Sequence, residues 1–168
     1  MEALPWEGEL PSALQTQFGD RLLRAATYRE QDFLELVAAA VPELLRTLRD
    51  EFSYDYLVEQ TAVDYPKDEL RFDLVYVLYS FSRNHRVRVK ARLAEGEKMP
   101  SVVSIFAAAN WMEREIFDMF GIEFAGHPDL RRILMPDEWE GFPLRKDYGI
   151  IQQDSRWVRE NLEIESGQ

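Results

Sequence analysis

The chain has 168 residues, 46% hydrophobic and 30% charged, enough for one folded domain with a core of its own. Its formal charge of −11 argues against nucleic-acid binding, which needs a dominant positive field. The absence of cysteine excludes disulfides, a thiol nucleophile and thiolate-held zinc or iron–sulfur clusters.

No apolar run is long enough to cross a bilayer and Met1 is not followed by a signal-peptide pattern, so a membrane role is expected to be peripheral. Pro11 to Phe18 reads as a short helix with Ser12 near its start and Gly19 at its end, followed by a strand over Arg21 to Thr27. From Glu30 to Glu51, Phe33, Leu34, Val37, Val41, Leu44, Leu45 and Leu48 recur at helical spacing. That stretch is expected to be helical, kinked or split at Pro42. Tyr54 to Tyr65 has strand composition, with a turn at Pro66-Lys67-Asp68.

Leu70 to Phe81 is almost continuously apolar and is expected to be a central strand covered on both faces. After a turn at Asn84-His85, Arg86 to Leu93 alternates, with Val87, Val89, Ala91 and Leu93 inward and Arg86, Arg88, Lys90 and Arg92 outward. The basic stripe suits a docking surface, a solvated face, or an edge protected from pairing. Ala94 to Pro100 is a polar connection, and Ser101 is placed to cap a brief helix running to Ala107.

Asn110-x-x-Glu113 has the spacing of a capping box, which predicts a helix from Trp111 to Phe120 stopped by Gly121 in a left-handed cap. Met112, Ile116, Met119 and Phe120 would form its apolar face, and Arg114 and Asp118 are spaced to pair across one turn. Ile122 to Phe124 suits a short strand. Gly126 to Tyr148 then has no period, although it is rich in Trp, Phe, Leu, Pro and Arg. A long irregular segment of that composition is expected to be an ordered arm that buries its apolar side chains against something else. The polar tail is expected to form a last helical turn around Trp157.

Glu113, Glu115, Asp118 and His127 resemble acid–base or metal equipment, but no second pair of ligands completes a shell and no nucleophile motif accompanies His127. His127 fits a loop histidine bonded to backbone. There is no glycine-rich phosphate loop. Arg131-Arg132 and Arg145-Lys146 lie among Asp129, Asp137, Glu138, Glu140 and Asp147, as in an ion-pair network or an interface.

Asn110-Trp111 with EREIFDMFGI, followed by GHPDLRRILMPDEWEGFPLRKDY, resembles the C-type subunits of proton-translocating NADH–quinone oxidoreductase, respiratory complex I. The signature falls on Glu113, Arg114, Glu115, Asp118, Met119, Phe120, His127, Arg131, Ile133 and Leu134. Thr61 to Pro66, Arg71-Phe72 and Arg86 to Lys90 resemble the family too.

The resemblance implies an α+β fold: a single domain with a mixed four-stranded sheet packed by helices over residues 1–125, plus a long irregular C-terminal arm over 126–168. It implies a non-catalytic structural and assembly subunit with no cofactor of its own, FMN and iron–sulfur clusters being held by partner subunits. The implied partners are the quinone-site subunit of D type and iron–sulfur subunits of B and I types, at the cytoplasmic side of the bacterial inner membrane. Asn110, Glu113, Arg114, Glu115, Asp118, Gly121 and His127 would be structural signature residues. Leu130, Arg131, Arg132, Ile133, Leu134, Trp139, Phe142, Arg145 and Lys146 would meet the partners. Similar subunits serve membrane-bound hydrogenases, reduced-deazaflavin dehydrogenases and the photosynthetic complex. A reading from another class is an independent metal-dependent enzyme using Glu115, Asp118 and His127.

Overall fold

The computed structural model describes residues 2–149 together with Trp157, Glu160 and Asn161. The strands are β1 (Leu4–Pro5), β2 (Leu22–Tyr28), β3 (Gln31–Val37), β4 (Tyr56–Asp64), β5 (Phe72–Ser80), β6 (His85–Leu93), β7 (Met99–Pro100) and β8 (Phe124–Ala125). The helices are α1 (Glu9–Phe18), α2 (Val41–Phe52) and α3 (Ala109–Phe120). Six strands form one mixed sheet in the order β1-β2-β3-β6-β5-β4, and β7 pairs with β8 in parallel. The class is α+β as expected, with six strands in place of four.

Of the two extra strands, β1 lies at residues 4–5 and β3 comes from the segment expected to be helical. Residues 31–37 form β3, antiparallel to β2 and parallel to β6, and only after them does α2 begin with Pro42 in its first turn. Phe33, Leu34 and Val37 match a helical period, but Leu34 and Leu36 point to the core as strand neighbours. The reversal before β3 uses Arg29 (φ 49°) and Glu30 (φ 62°), both left-handed, in the two-residue turn whose twist suits a hairpin. Neither residue type announces such a turn. The helix expected at Ser101–Ala107 is also absent: the Ser101 hydroxyl accepts from the Val103 N–H at 3.3 Å, and the chain passes through successive turns.

Sheet register sorts the two faces. On one, Leu34, Val89 and Tyr76 lie side by side, as do Leu36, Ala91 and Leu74. They join Leu14, Phe18, Leu44, Leu45, Leu48, Ile116 and Phe120 in a single core. Each fully buried leucine there contributes about 1.5–3 kcal/mol. On the other face Phe33, Arg88 and Val77 are neighbours, as are Glu35, Lys90 and Val75. β5 is central, as expected, but Val75 and Tyr79 on this second face are only half-buried. β6 is central too, so its basic stripe does not protect a sheet edge. In the tail, the described residues Trp157, Glu160 and Asn161 are helical.

Candidate functional site

The signature residues cluster around α3, and their partners differ from those that spacing suggested. α3 begins two residues earlier than expected, after Ala108, with no side-chain cap. Asn110 and Glu113 therefore form no capping box. Glu113 is fully buried, and its Oε1 accepts the Val102 N–H at 2.7 Å, tying the helix to the loop before it. Burial pushes the Glu113 carboxyl above the usual range, against the pull of that N–H.

Nor do Arg114 and Asp118 pair with each other; both turn to residues 126–148. The Arg114 guanidinium donates to the carbonyls of Arg131 (3.2 Å) and Arg132 (3.1 Å) beneath the Trp111 ring. Asp118 has no exposed surface. Its Oδ2 accepts three consecutive backbone N–H groups, from Ile133 (3.0 Å), Leu134 (2.7 Å) and Met135 (2.9 Å). Its Oδ1 meets Arg132 at 2.6 Å. Burial alone would raise the Asp118 carboxyl, but those three N–H groups and the guanidinium together hold it below the usual range. Arg132 continues to the carbonyls of Trp139 (2.9 Å) and Gly141 (3.1 Å). One carboxylate and one guanidinium thus give an irregular segment the backbone partners that a helix or strand would have supplied.

The end of α3 receives the arm a second time. Gly121 closes the helix in the left-handed conformation (φ 72°, ψ 22°). A Cβ on it would lie 2.5 Å from the Phe142 ring, so glycine serves both the turn and the close approach. Leu144 N–H donates to the Met119 carbonyl at 3.1 Å, and Arg145 donates to the Phe120 carbonyl at 2.6 Å while lying over the Phe142 ring. His127 sits at the start of the arm: Nε2 donates to the Asn110 carbonyl at 3.1 Å, and Nδ1 accepts the Asp129 N–H at 3.0 Å.

Sequence reasoning did not assign the last fastening point. Buried Arg71 donates to Asp64 (2.7 and 3.0 Å), Glu95 (3.0 Å) and Asp147 (2.8 Å), and the Lys146 N–H donates to Asp64 at 2.7 Å. Arg145 reaches the same Glu95 at 2.7 Å. Hydrogen bonding to Arg71 holds both Asp64 and Asp147 below the usual carboxylate range. Asp64 and Arg71 had a signal, since both lie in segments that resemble the family. Glu95 had none.

The arm residues divide in two. Arg132, Phe142 and Arg145 are engaged within the chain, and Leu130, Ile133 and Trp139 are half-buried, Trp139 donating to the Tyr148 hydroxyl at 3.1 Å. Leu134 (62% exposed), Leu144 (49%), Arg131 and Lys146 face outward, joined by Trp111 (62%) and Glu115 on α3. Glu113, Asp118 and His127 each face a different partner, and among the described residues no group of three or more His, Asp or Glu is placed to hold a metal ion.

Residues 34–154 match the family described as "Respiratory-chain NADH dehydrogenase, 30 Kd subunit". The chain is 43% identical over 142 residues to the C subunit of NADH-quinone oxidoreductase from Citrifermentans bemidjiense, covering 84% of this chain and 88% of that one. It is 43% identical over 124 residues to the C/D subunit of NADH-quinone oxidoreductase from Bdellovibrio bacteriovorus, covering 74% of this chain and 22% of that one. Among solved structures it is similar to a chain of the membrane-bound sulfane sulfur reductase, an archaeal respiratory membrane complex. The TM-score is 0.73 at 25% identity, with 95% of both chains covered. The matched span contains α3 and the arm together with the groups that join them, and the chain belongs to the respiratory-chain NADH dehydrogenase 30 kDa subunit family.

Proposed function

We propose that this chain is a non-catalytic structural subunit of the peripheral arm of NADH–quinone oxidoreductase. Its family membership, with 43% identity to a C-type subunit across most of both chains, supports the assignment to that complex. Among the described residues no helix is long and apolar enough to cross a membrane, which is compatible with a peripheral position, on our reading at the cytoplasmic side. FMN and iron–sulfur centres of other subunits carry the electrons from NADH to quinone, and proton translocation is coupled to that flow. This chain braces the subunits that hold them. The neighbours we assign are the quinone-site subunit of D type and iron–sulfur subunits of B and I types. The existence of a relative named C/D supports the first of these.

The observation that carries the brace is the way α3 holds the arm. Asp118, Arg114, Gly121 and Arg71 fix residues 126–148 to the domain, and Leu134 and Leu144 are left at the surface with Arg131 and Lys146 near them in sequence. Exposed leucines on a backbone held by buried charged groups form a preorganised docking strip, which binds at less entropic cost than a free tail. Cofactor spacing in the partners then depends on the geometry of this scaffold.

A tagged chain isolated at native abundance tests the assignment. Mass spectrometry of the co-purifying proteins should identify oxidoreductase subunits, the D type foremost. Recovery of the chain alone, or with stoichiometric metal that Asp118→Ala and His127→Ala abolish, would instead support the independent enzyme.

A further inference from the structure

The outer face of the sheet carries more positive charge than its own chain neutralises. Phe33 lies under two cations, with the Arg24 guanidinium 5.4 Å and the Lys90 ammonium 5.6 Å from its ring centre. Arg88 is its register partner on β6, so a third cation stands on the neighbouring strand. Arg86 follows one position along the stripe, opposite Tyr79. Among the described residues Arg24, Arg86 and Arg88 form no ion pair, although Glu35 stands directly across from Arg24. Lys90 reaches only Asp73, at 3.5 Å. Like charges gathered on neighbouring strands repel, and the repulsion is stronger at a half-buried face than in open water. In a chain of net charge −11 this concentration is not a by-product of composition.

Apolar side chains stand exposed at both ends of the cationic band. At one end Tyr56 (51%) and Phe81 (68%) pack on each other. At the other, Leu23 (62%) occupies a bulge in β2, and it lines a cavity of about 560 Å³ with Val37 and Leu70. Bulges commonly re-aim a side chain in this way. Cations flanked by apolar and aromatic anchors form an interface pattern, with arginine and tyrosine among its favoured residues.

We propose that this sheet face docks a carboxylate-rich, leucine-bearing surface of another protein in the complex. The inference rests on the reading that the chain works inside a multi-subunit assembly. Charge decides the partner. A two-fold dimer through this face would set the same cations against one another, so a second copy is disfavoured. An acidic surface satisfies Arg24, Arg86 and Arg88 together, and arginine forks match carboxylates in geometry as well as charge.

The test uses the complex purified from cells. A photo-reactive amino acid replaces Phe81 or, separately, Leu23, and a third sample carries it at Leu134 on the arm. Cross-links from positions 81 and 23 to an Asp/Glu-rich peptide of another subunit are expected. Arg86→Glu with Arg88→Glu should lower retention of the chain in the complex about tenfold at moderate salt, since like charges then face each other across the contact. Neither arginine has an ion-pair partner among the described residues, so circular dichroism should match wild type and the thermal melt should not fall, the mutual repulsion of the cations being relieved. Should that variant misfold, Arg86→Gln with Arg88→Gln and the cross-links decide. If position 134 cross-links while 81 and 23 stay free, or link to a second copy or to lipid, the docking proposal is overturned and the assembly reading stands. If the chain co-purifies with no oxidoreductase subunit, both fall.

Discussion

At the scale of single residues, Asp118 shows how a charged group can organise a backbone it does not belong to. Its carboxylate accepts three successive N–H groups and one guanidinium with no exposure to water. Removing it would leave those donors without their acceptor and Arg132 without its counter-charge. Asp118→Ala is expected to cost about 3–5 kcal/mol in urea denaturation, the range for breaking a buried pair. A cost below about 1 kcal/mol would mean that Asp118 does not hold the arm.

The buried carboxylates also titrate in opposite senses. Asp64, bonded to Arg71, and Asp118, bonded to three N–H groups, are held low, so their contribution is present above about pH 3.9, the unfolded value. It is lost as pH falls through their folded values. Glu113 is held high by burial, so its contribution is present below about pH 4.3 and is lost as pH rises through its folded value. Glu113→Gln keeps an acceptor for the Val102 N–H and removes the titration. The stability of that variant relative to wild type should therefore increase from pH 4 to pH 7. A difference independent of pH would show that the Glu113 carboxyl is not held above its usual range.

At the scale of elements, the β2–β3 hairpin turns on two residues in an unfavourable conformation. Arg29 and Glu30 both have positive φ, which L side chains adopt reluctantly. Arg29→Asn with Glu30→Gly supplies the residues that such a turn prefers, and should stabilise the domain by about 0.5–1 kcal/mol, read as a rise in Tm. A fall in Tm would mean that the native side chains do more at the turn than tolerate its geometry. The same turn explains the principal misreading of the sequence. With no Asn-Gly or Asp-Gly to mark a reversal, Phe33, Leu34, Val37 and Val41 read as one helical stripe running into α2.

α1, the strands β2, β4, β5 and β6, the start of α2 at Pro42 and the left-handed stop of α3 at Gly121 were legible, because each announces itself through local period or punctuation. The partners of the α3 side chains were not. Glu113 prefers Val102, and Asp118 prefers an N–H row 15 to 17 residues ahead, in place of the local partners that spacing offered. A tertiary environment that buries a carboxylate rewards the contact with most donors, and one-turn spacing cannot reveal it. Resemblance marked these positions as a set without giving their roles.

At the scale of the molecule, two of the places at which the domain holds its arm lie far apart in sequence. One is the Asp118–Arg132 cluster beside α3. The other joins Asp64 and Arg71 to Lys146 and Asp147, across 76 to 82 residues. Between them Asp137, Glu138 and Glu140 are exposed, and Leu134 and Leu144 lie at the surface. A segment so placed is suited to fixing neighbours in space.

The most direct test separates assembly from turnover. Leu134→Asp with Leu144→Asp changes two exposed side chains and should leave the melt of the isolated chain nearly unchanged, by about 0.5 kcal/mol or less per site. In cells carrying the variant, the amount of assembled oxidoreductase should fall severalfold, with NADH–quinone turnover per assembled complex the same as wild type. Normal assembly with turnover lost would contradict the brace and return this chain to the chemistry.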